Sequence, residues 1–211
     1  MTPKAVYWDM DGTLIDSEPL HALALATVLK SLGITPPDDL HERVVGIAAV
    51  PVYEMLQDEF GLKLPFDDWI LRKYVYYMEH LGTLKPRVGA VEVYRDLRAQ
   101  GMPLAVVSNS DRLIVEANLR VIGVDRPGLK CVTRNDVRNG KPDPEPFLRA
   151  AWLTGIDPAE TYVVEDSRAG ATAGVAAGMR TLFWPQEPMD TPRGAIRVSS
   201  LDELRAHLGV D

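Results

Sequence analysis

Short apolar runs alternate with longer amphipathic stretches along most of the chain. Five runs read as strands buried on both faces: Ala5-Val6-Tyr7-Trp8, Pro103-Leu104-Ala105-Val106-Val107, Lys130-Cys131-Val132-Thr133, Tyr162-Val163-Val164 and Thr181-Leu182-Phe183-Trp184. Between them, apolar positions three and four apart predict helices from Val88 to Gln100, Asp111 to Ile122, Asp143 or Pro144 to Gly155, Gly170 to Ala177 and Leu201 to Leu208. This alternation predicts an α/β fold with a Rossmann-like parallel sheet.

One stretch breaks the rhythm. From Ser17 to about Leu84 the pattern is helical throughout, with helices expected over Pro19–Leu32, Val52–Phe60 and Phe66–Leu81. Gly33, Gly46, Gly61 and Gly82, with Pro36, Pro37 and Pro65, mark the gaps between them. The expected organisation is a core of residues 1–16 and 84–211 and a small all-helical cap domain of residues 17–83, hinged near Asp16 and Leu84. The stripe of Trp69, Ile70, Tyr74, Tyr77 and Leu81 has helical spacing and reads as core, not as a stacking platform for a ligand.

Composition narrows the function more than the fold. The chain has 211 residues and a net charge of −7, which disfavours nucleic acid and anionic membrane surfaces as partners. A single cysteine, Cys131 in an apolar run, allows no intramolecular disulfide and reads as a buried hydrophobe. No apolar stretch approaches the roughly 18 residues of a membrane span, and Asp9 and Asp11 interrupt the N-terminal run that a signal peptide would need. The expectation is a cytoplasmic protein, monomeric or weakly dimeric, acting on a small molecule.

Ligands of open parallel sheets sit at the carboxyl ends of the strands, and polar residues collect there in this sequence. The first strand runs into Asp9-Met10-Asp11-Gly12-Thr13, the second into Ser108-Asn109-Ser110 and the fourth into Glu165-Asp166-Ser167, while Lys141 precedes Pro142 at a helix start. Carboxylates gathered at about 4 Å repel by on the order of 4 kcal/mol per pair at an effective dielectric near 20. A hard divalent cation relieves that repulsion, and an oxygen-only donor set suits Mg²⁺. Lys141, Ser108 and backbone N–H groups after Gly12 would then form an anion site.

These motifs resemble those of the haloacid dehalogenase superfamily, in its phosphatase branch. Asp9-Met10-Asp11-Gly12-Thr13-Leu14-Ile15-Asp16-Ser17 is similar to the first motif, Val106-Val107-Ser108-Asn109 to the second, Gly140-Lys141-Pro142-Asp143-Pro144 to the third, and Val164-Glu165-Asp166-Ser167-Arg168-Ala169-Gly170 to the fourth. The helical insert matches the smaller cap type. The resemblance implies that Asp9 attacks phosphorus to form an aspartyl-phosphate, and that Asp11 protonates the leaving oxygen and later activates water, which asks for a raised pKa on Asp11. It also implies that Asp9, the Asp11 carbonyl and Asp166 hold Mg²⁺, with Glu165 as ligand or neighbour. Gly12, Thr13, Ser108, Asn109 and Lys141 would bind the phosphoryl group.

Asp11 argues against the dehalogenases of this superfamily, which lack it. No cap lysine sits in a setting recognisable for phosphonatase chemistry. A β-phosphoglucomutase is the main alternative, and His21 matches a mutase position that steers the second aspartate, although sugar phosphatases carry histidine there too. In the mutase an arginine follows the cap glycine to grip a second phosphate; here Gly46-Ile47-Ala48-Ala49-Val50-Pro51 has no cation. Arg43, Arg72 or Lys73 could substitute, but arginines on helix faces are usually solvated. The cation-free loop predicts a small or weakly polar leaving group. A phospho-acceptor module would also gather aspartates and a lysine, but has no cap to enclose a substrate.

Overall fold

A computed structural model describes residues 2–45 and 47–210. Gly46, expected to mark a gap between cap helices, lies outside the described residues.

The elements follow in the order β1 (Ala5–Trp8), β2 (Ile15–Asp16), α1 (Glu18–Ser31), α2 (Leu40–Val44), α3 (Ala49–Phe60), α4 (Phe66–Glu79), β3 (Lys85–Pro86), α5 (Ala90–Ala99), β4 (Leu104–Val107), α6 (Arg112–Val121), β5 (Lys130–Val132), α7 (Glu145–Thr154), β6 (Thr161–Glu165), α8 (Arg168–Ala176), β7 (Arg180–Phe183), β8 (Ile196–Arg197) and α9 (Leu201–Leu208). Six strands form one parallel sheet in the order β5-β4-β1-β6-β7-β8. Every residue of β1 is buried because side chains alternate between two covered faces. Val6 and Trp8 enter the larger apolar cluster, with α5, α6 and α9, while Ala5 and Tyr7 pack with Phe147, Ala150 and Ala173 on the other side.

The strand order explains where a ligand can sit. From β1 the chain moves outward to β4 and β5, then returns to β6 on the opposite side of β1. The connections therefore diverge at the carboxyl end of β1 and leave a crevice there. Asp9, Ser108 and Asp166 all follow the strands that border this point.

The helical insert has an apolar cluster of its own, built on Leu25, Val28, Leu29, Leu40, Val52, Leu56, Leu62 and Trp69. Its two connections to the sheet run side by side, since β2 and β3 pair antiparallel with Ile15 opposite Pro86 and Asp16 opposite Lys85. Leu20, Ala24 and Tyr77 of α1 and α4 belong to the larger cluster and join insert to sheet.

Candidate active site

The polar strand ends converge on a cavity of about 360 Å³ between sheet and helical insert. Asp9, Asp11, Ser108, Asn109, Lys141 and Asp166 line its floor, with His21 from α1 also reaching it. Leu25, Ile47, Ala48, Ala49, Val50 and Val52 of the insert supply apolar lining.

Asp9 sits one residue past β1, and its N–H donates to the Val164 carbonyl of β6 at 3.0 Å. This bond extends the β1–β6 ladder and fixes the backbone that carries the carboxylate. Lys141 reaches in from the turn that precedes α7. Its Nζ donates to Asp9 Oδ1 and Glu165 Oε1, each at 2.5 Å, and to the Val107 carbonyl at 2.8 Å. Only 3% of the Lys141 side chain is exposed, so it is no solvated surface charge. Burial alone would lower its pKa, but Asp9 and Glu165 more than reverse that and keep the ammonium charged.

Oxygens of Asp9, Glu165 and Asp166 lie within 4.8 Å of one another. Burial raises the Asp9 pKa well above the usual range, the Glu165 charge raises it further, and Lys141 opposes both. Burial and Glu165 likewise push Asp166 up to about 7, against the Thr13 hydroxyl and the Arg87 guanidinium. An oxygen-only cluster whose charges push up the pKa of Asp9 and Asp166 fits a hard divalent cation. Glu165 is the least available ligand of the three. Its Oε1 accepts from Lys141, and its Oε2 accepts from the Ser167 N–H and hydroxyl.

This electrostatic arrangement makes a pH prediction for metal-free protein. With its pKa pushed up to about 7 in the fold against the 3.8 of an ordinary aspartate, Asp166 binds more protons in the native state between those values. Stability contributed at this site must therefore fall as pH rises from about 4 to about 7. Asp166→Asn is expected to be more stable than wild type at pH 7 in EDTA, by on the order of a few kcal/mol. The difference should vanish near pH 4, as thermal melts across pH would show.

Two glycines permit the close approach. Gly12 has φ +79°, and a Cβ there would stand 2.1 Å from Asp166 Oδ2. At Gly170 in α8 a Cβ would stand 1.7 Å from Glu165 Oε1. Gly170→Ala is expected to displace Glu165 from Lys141 and lower turnover about 10- to 100-fold, measured at saturating Mg²⁺.

Several expectations need correction. The N–H groups of Gly12, Thr13 and Leu14 do not face an anion, because the turn consumes them on Ile15 and Met10 carbonyls. Gly12 instead yields space to Asp166, and the Thr13 hydroxyl donates to Asp166 Oδ1 at 2.8 Å. Asn109 spends its side-chain amide on the Lys141 backbone, accepting from its N–H at 2.8 Å and donating to its carbonyl at 3.1 Å, so that amide orients Lys141.

Asp11 differs most from expectation. Ser17 Oγ (2.6 Å) and Asn118 Nδ2 (3.3 Å) donate to its Oδ1, and Ser110 Oγ (2.7 Å) and Ser108 Oγ (3.2 Å) to its Oδ2. His21 Nε2 lies 3.5 Å from Oδ1. Burial favours the neutral acid, yet His21, Ser17 and Ser110 outweigh it and hold the pKa down at about 2, not raised. Burial also lowers the His21 pKa, against the neighbouring Asp11. The aromatic stripe of α4 is core at Trp69 and Tyr77, but Tyr74 lines the cavity and donates its hydroxyl to Asp111.

Residues outside the motifs complete the site. Arg87 follows β3, donates from Nη1 to the carbonyls of Gly12 (3.0 Å) and Trp184 (2.7 Å), and lies 3.5 Å from the centre of the Trp184 ring. Gln186 donates to the same Gly12 carbonyl at 3.0 Å. Asn118 is fully buried in α6, accepting from Tyr77 while donating to Asp11. A polar residue on the buried face of α6 was the available signal for Asn118; Arg87 and Gln186 sit in loops where nothing periodic marks them.

The family model for haloacid dehalogenase-like hydrolases matches residues 6–184, which includes all four motifs. The chain belongs to this family. It is 29% identical to hexitol phosphatase A of Escherichia coli over 201 residues, covering 92% of this chain and 88% of that protein. It is 28% identical to 6-phosphogluconate phosphatase of the same organism over 205 residues, covering 95% and 91%. The crystal structure of CbbY from Rhodobacter sphaeroides in complex with phosphate superimposes with a TM-score of 0.89 at 22% identity, covering 99% of this chain and all of that one, and so shares the fold. As a member of this family with phosphatase relatives along nearly its whole length, the protein is a phosphoric monoester hydrolase. Among the described residues no helix is long and apolar enough to cross a membrane.

Proposed function

We propose that this hydrolase cleaves a small phosphate monoester, a sugar phosphate or similar metabolite, through an aspartyl-phosphate on Asp9 with Mg²⁺ as cofactor. The observation that carries the reading is the buried Asp9 carboxylate, held by Lys141 within a three-carboxylate cluster at the point where the strand connections diverge.

Asp9 Oδ attacks phosphorus, and the P–O bond to the ester oxygen breaks as that oxygen takes a proton. Water then attacks phosphorus of the aspartyl-phosphate, which releases inorganic phosphate and restores Asp9. Lys141 and Ser108 bind the phosphoryl oxygens and the charge that builds on them. Bound Mg²⁺, held by Asp9, the Asp11 carbonyl and Asp166, would neutralise the charge that otherwise keeps an anionic nucleophile from an anionic ester. Asp11 in its present cradle is ionised and suited to accept the proton of the attacking water. To supply the leaving oxygen's proton Asp11 must first bind one, as substrate entry exchanges the Ser17, Ser108, Ser110 and Asn118 bonds that hold it ionised and frees the Ser108 hydroxyl for the phosphoryl group.

Hydrolysis is preferred to mutase chemistry because the cap loop of residues 47–51 has no cation where the mutase arginine would stand, and the cap lysine that lines the cavity, Lys73, faces the charges of Glu18, Asp11 and Asp111. The relatives named for hexitol phosphates and 6-phosphogluconate support a phosphorylated sugar as substrate. The test is a screen of phosphate monoesters with and without Mg²⁺, run beside conversion of β-glucose 1-phosphate to glucose 6-phosphate. Phosphate release that EDTA abolishes is expected. Sugar-phosphate interconversion with little phosphate released would contradict the reading.

A further inference from the structure

The cavity lining includes three lysines and arginines: Lys73, Arg134 and Lys141. Lys141 is committed to Asp9 and Glu165. Lys73 of α4 faces the charges of Glu18, Asp11 and Asp111. Arg134 is different. Among the described residues no carboxylate lies within ion-pair distance of it. Glu145 is close enough to feel its charge, but Glu145 spends both oxygens on the N–H groups of Arg138 and Asn139.

Arg134 is also held in place. It opens a short 3-10 turn, Arg134–Asp136, that a capping box fixes: Asp136 Oδ2 accepts from the Thr133 N–H and hydroxyl at 2.8 Å each. Arg112 pairs with the same Asp136. The Arg134 N–H donates to the Ser110 carbonyl at 3.1 Å, and Nη1 donates to the Val137 carbonyl at 2.9 Å. Its stem passes Gly140, the residue before Lys141, where a Cβ would stand 3.4 Å from Arg134 Cδ. One guanidinium nitrogen is thus used to orient the group, and the remaining N–H groups are left for a ligand.

A half-buried, oriented guanidinium with no carboxylate in ion-pair contact among the described residues, in the cavity that receives the ester, marks an anion subsite. Resting on the phosphatase reading, we propose that Arg134 binds a second anionic group, carboxylate or phosphate, carried by the leaving group of the substrate. The expectation of a weakly polar leaving group follows from the cap loop alone. That loop is apolar, but it is one wall; the core supplies the cation from the loop after β5.

Matched ester pairs test this. The carboxylate arm compares 6-phosphogluconate with glucitol 6-phosphate, and the phosphate arm compares fructose 1,6-bisphosphate with fructose 6-phosphate. Wild type is expected to favour the anionic member of at least one pair by about tenfold or more in kcat/KM, and the arm that does so identifies the group. A hydrogen bond to a charged group is worth about 1.5–3 kcal/mol, so Arg134→Gln should cut that preference about 10- to 100-fold, and Arg134→Lys should retain part of it. Equal kcat/KM within both pairs in wild type would overturn the proposal. So would an Arg134→Gln enzyme that loses activity on both members alike while Arg134→Lys keeps no selectivity. Release of no phosphate from any of the four esters with Mg²⁺ would instead defeat the phosphatase reading itself.

Discussion

Asp9→Asn is expected to lower kcat by at least about 10⁴-fold on every phosphate ester the wild type turns over. The amide has nearly the carboxylate's shape, so the fold and the cavity should survive. What it lacks is the oxygen nucleophile and the negative charge. The loss should therefore appear in kcat, with substrate still able to bind. The charge effect on the fold points the other way. Asp9 is buried, and Glu165 raises its pKa on top of burial, with Lys141 as the opposing charge. Removing the charge relieves repulsion with Glu165 and Asp166, so metal-free Asp9→Asn should melt no lower than wild type. A variant that is inactive yet undiminished in stability separates a chemical role from a structural one. Equal residual activity in wild type and variant would place the nucleophile elsewhere.

Lys141→Met is expected to damage both stability and chemistry. Lys141 is the counter-charge shared by Asp9 and Glu165, with both of which it makes buried ion pairs. Losing one partner of a buried pair leaves an uncompensated charge and costs about 3–5 kcal/mol. Urea unfolding in EDTA should show that loss. Mg²⁺ should restore part of it, since the cation supplies positive charge to the same carboxylates. Turnover should fall by roughly 10²- to 10³-fold or more, because a donor to the developing phosphoryl charge is gone. Unchanged stability in EDTA would mean the carboxylates carry less charge than the geometry implies.

Much of this was legible in the sequence because the responsible signals are long or local. The strand β1 is a four-residue apolar run with a charged stop, and its both-face burial removes the alternation that would otherwise blur it. Lys141 was found by its place at a helix start rather than by hydropathy, and the structure buries it where a lone lysine is ordinarily solvated. Elements of two residues escape any periodic reading, and β2, β3 and β8 were missed for that reason; α2, at five residues, is barely longer than one turn.

The protonation state of Asp11 was not legible. It depends on hydroxyls of Ser17, Ser108 and Ser110 and on the amide of Asn118, brought to one carboxylate from as far as 107 residues away. Spacing along the chain carries no record of such convergence. The same holds for Arg87, whose value lies in two carbonyls and an indole face from distant loops. For Gly12 the sequence indicated a place in the phosphoryl site. That its missing Cβ makes room for Asp166 emerged only when the two segments met.

The central claim is that the phosphoryl group passes through Asp9. A single turnover of a good ester, quenched in acid and reduced with borohydride, converts an aspartyl-phosphate into homoserine at the phosphorylated position. Peptide mass spectrometry of the product is predicted to find homoserine at position 9 in wild type, and none anywhere in Asp9→Asn. Homoserine at position 11 or 166 instead, or full phosphate release with no residue ever modified, would contradict the account.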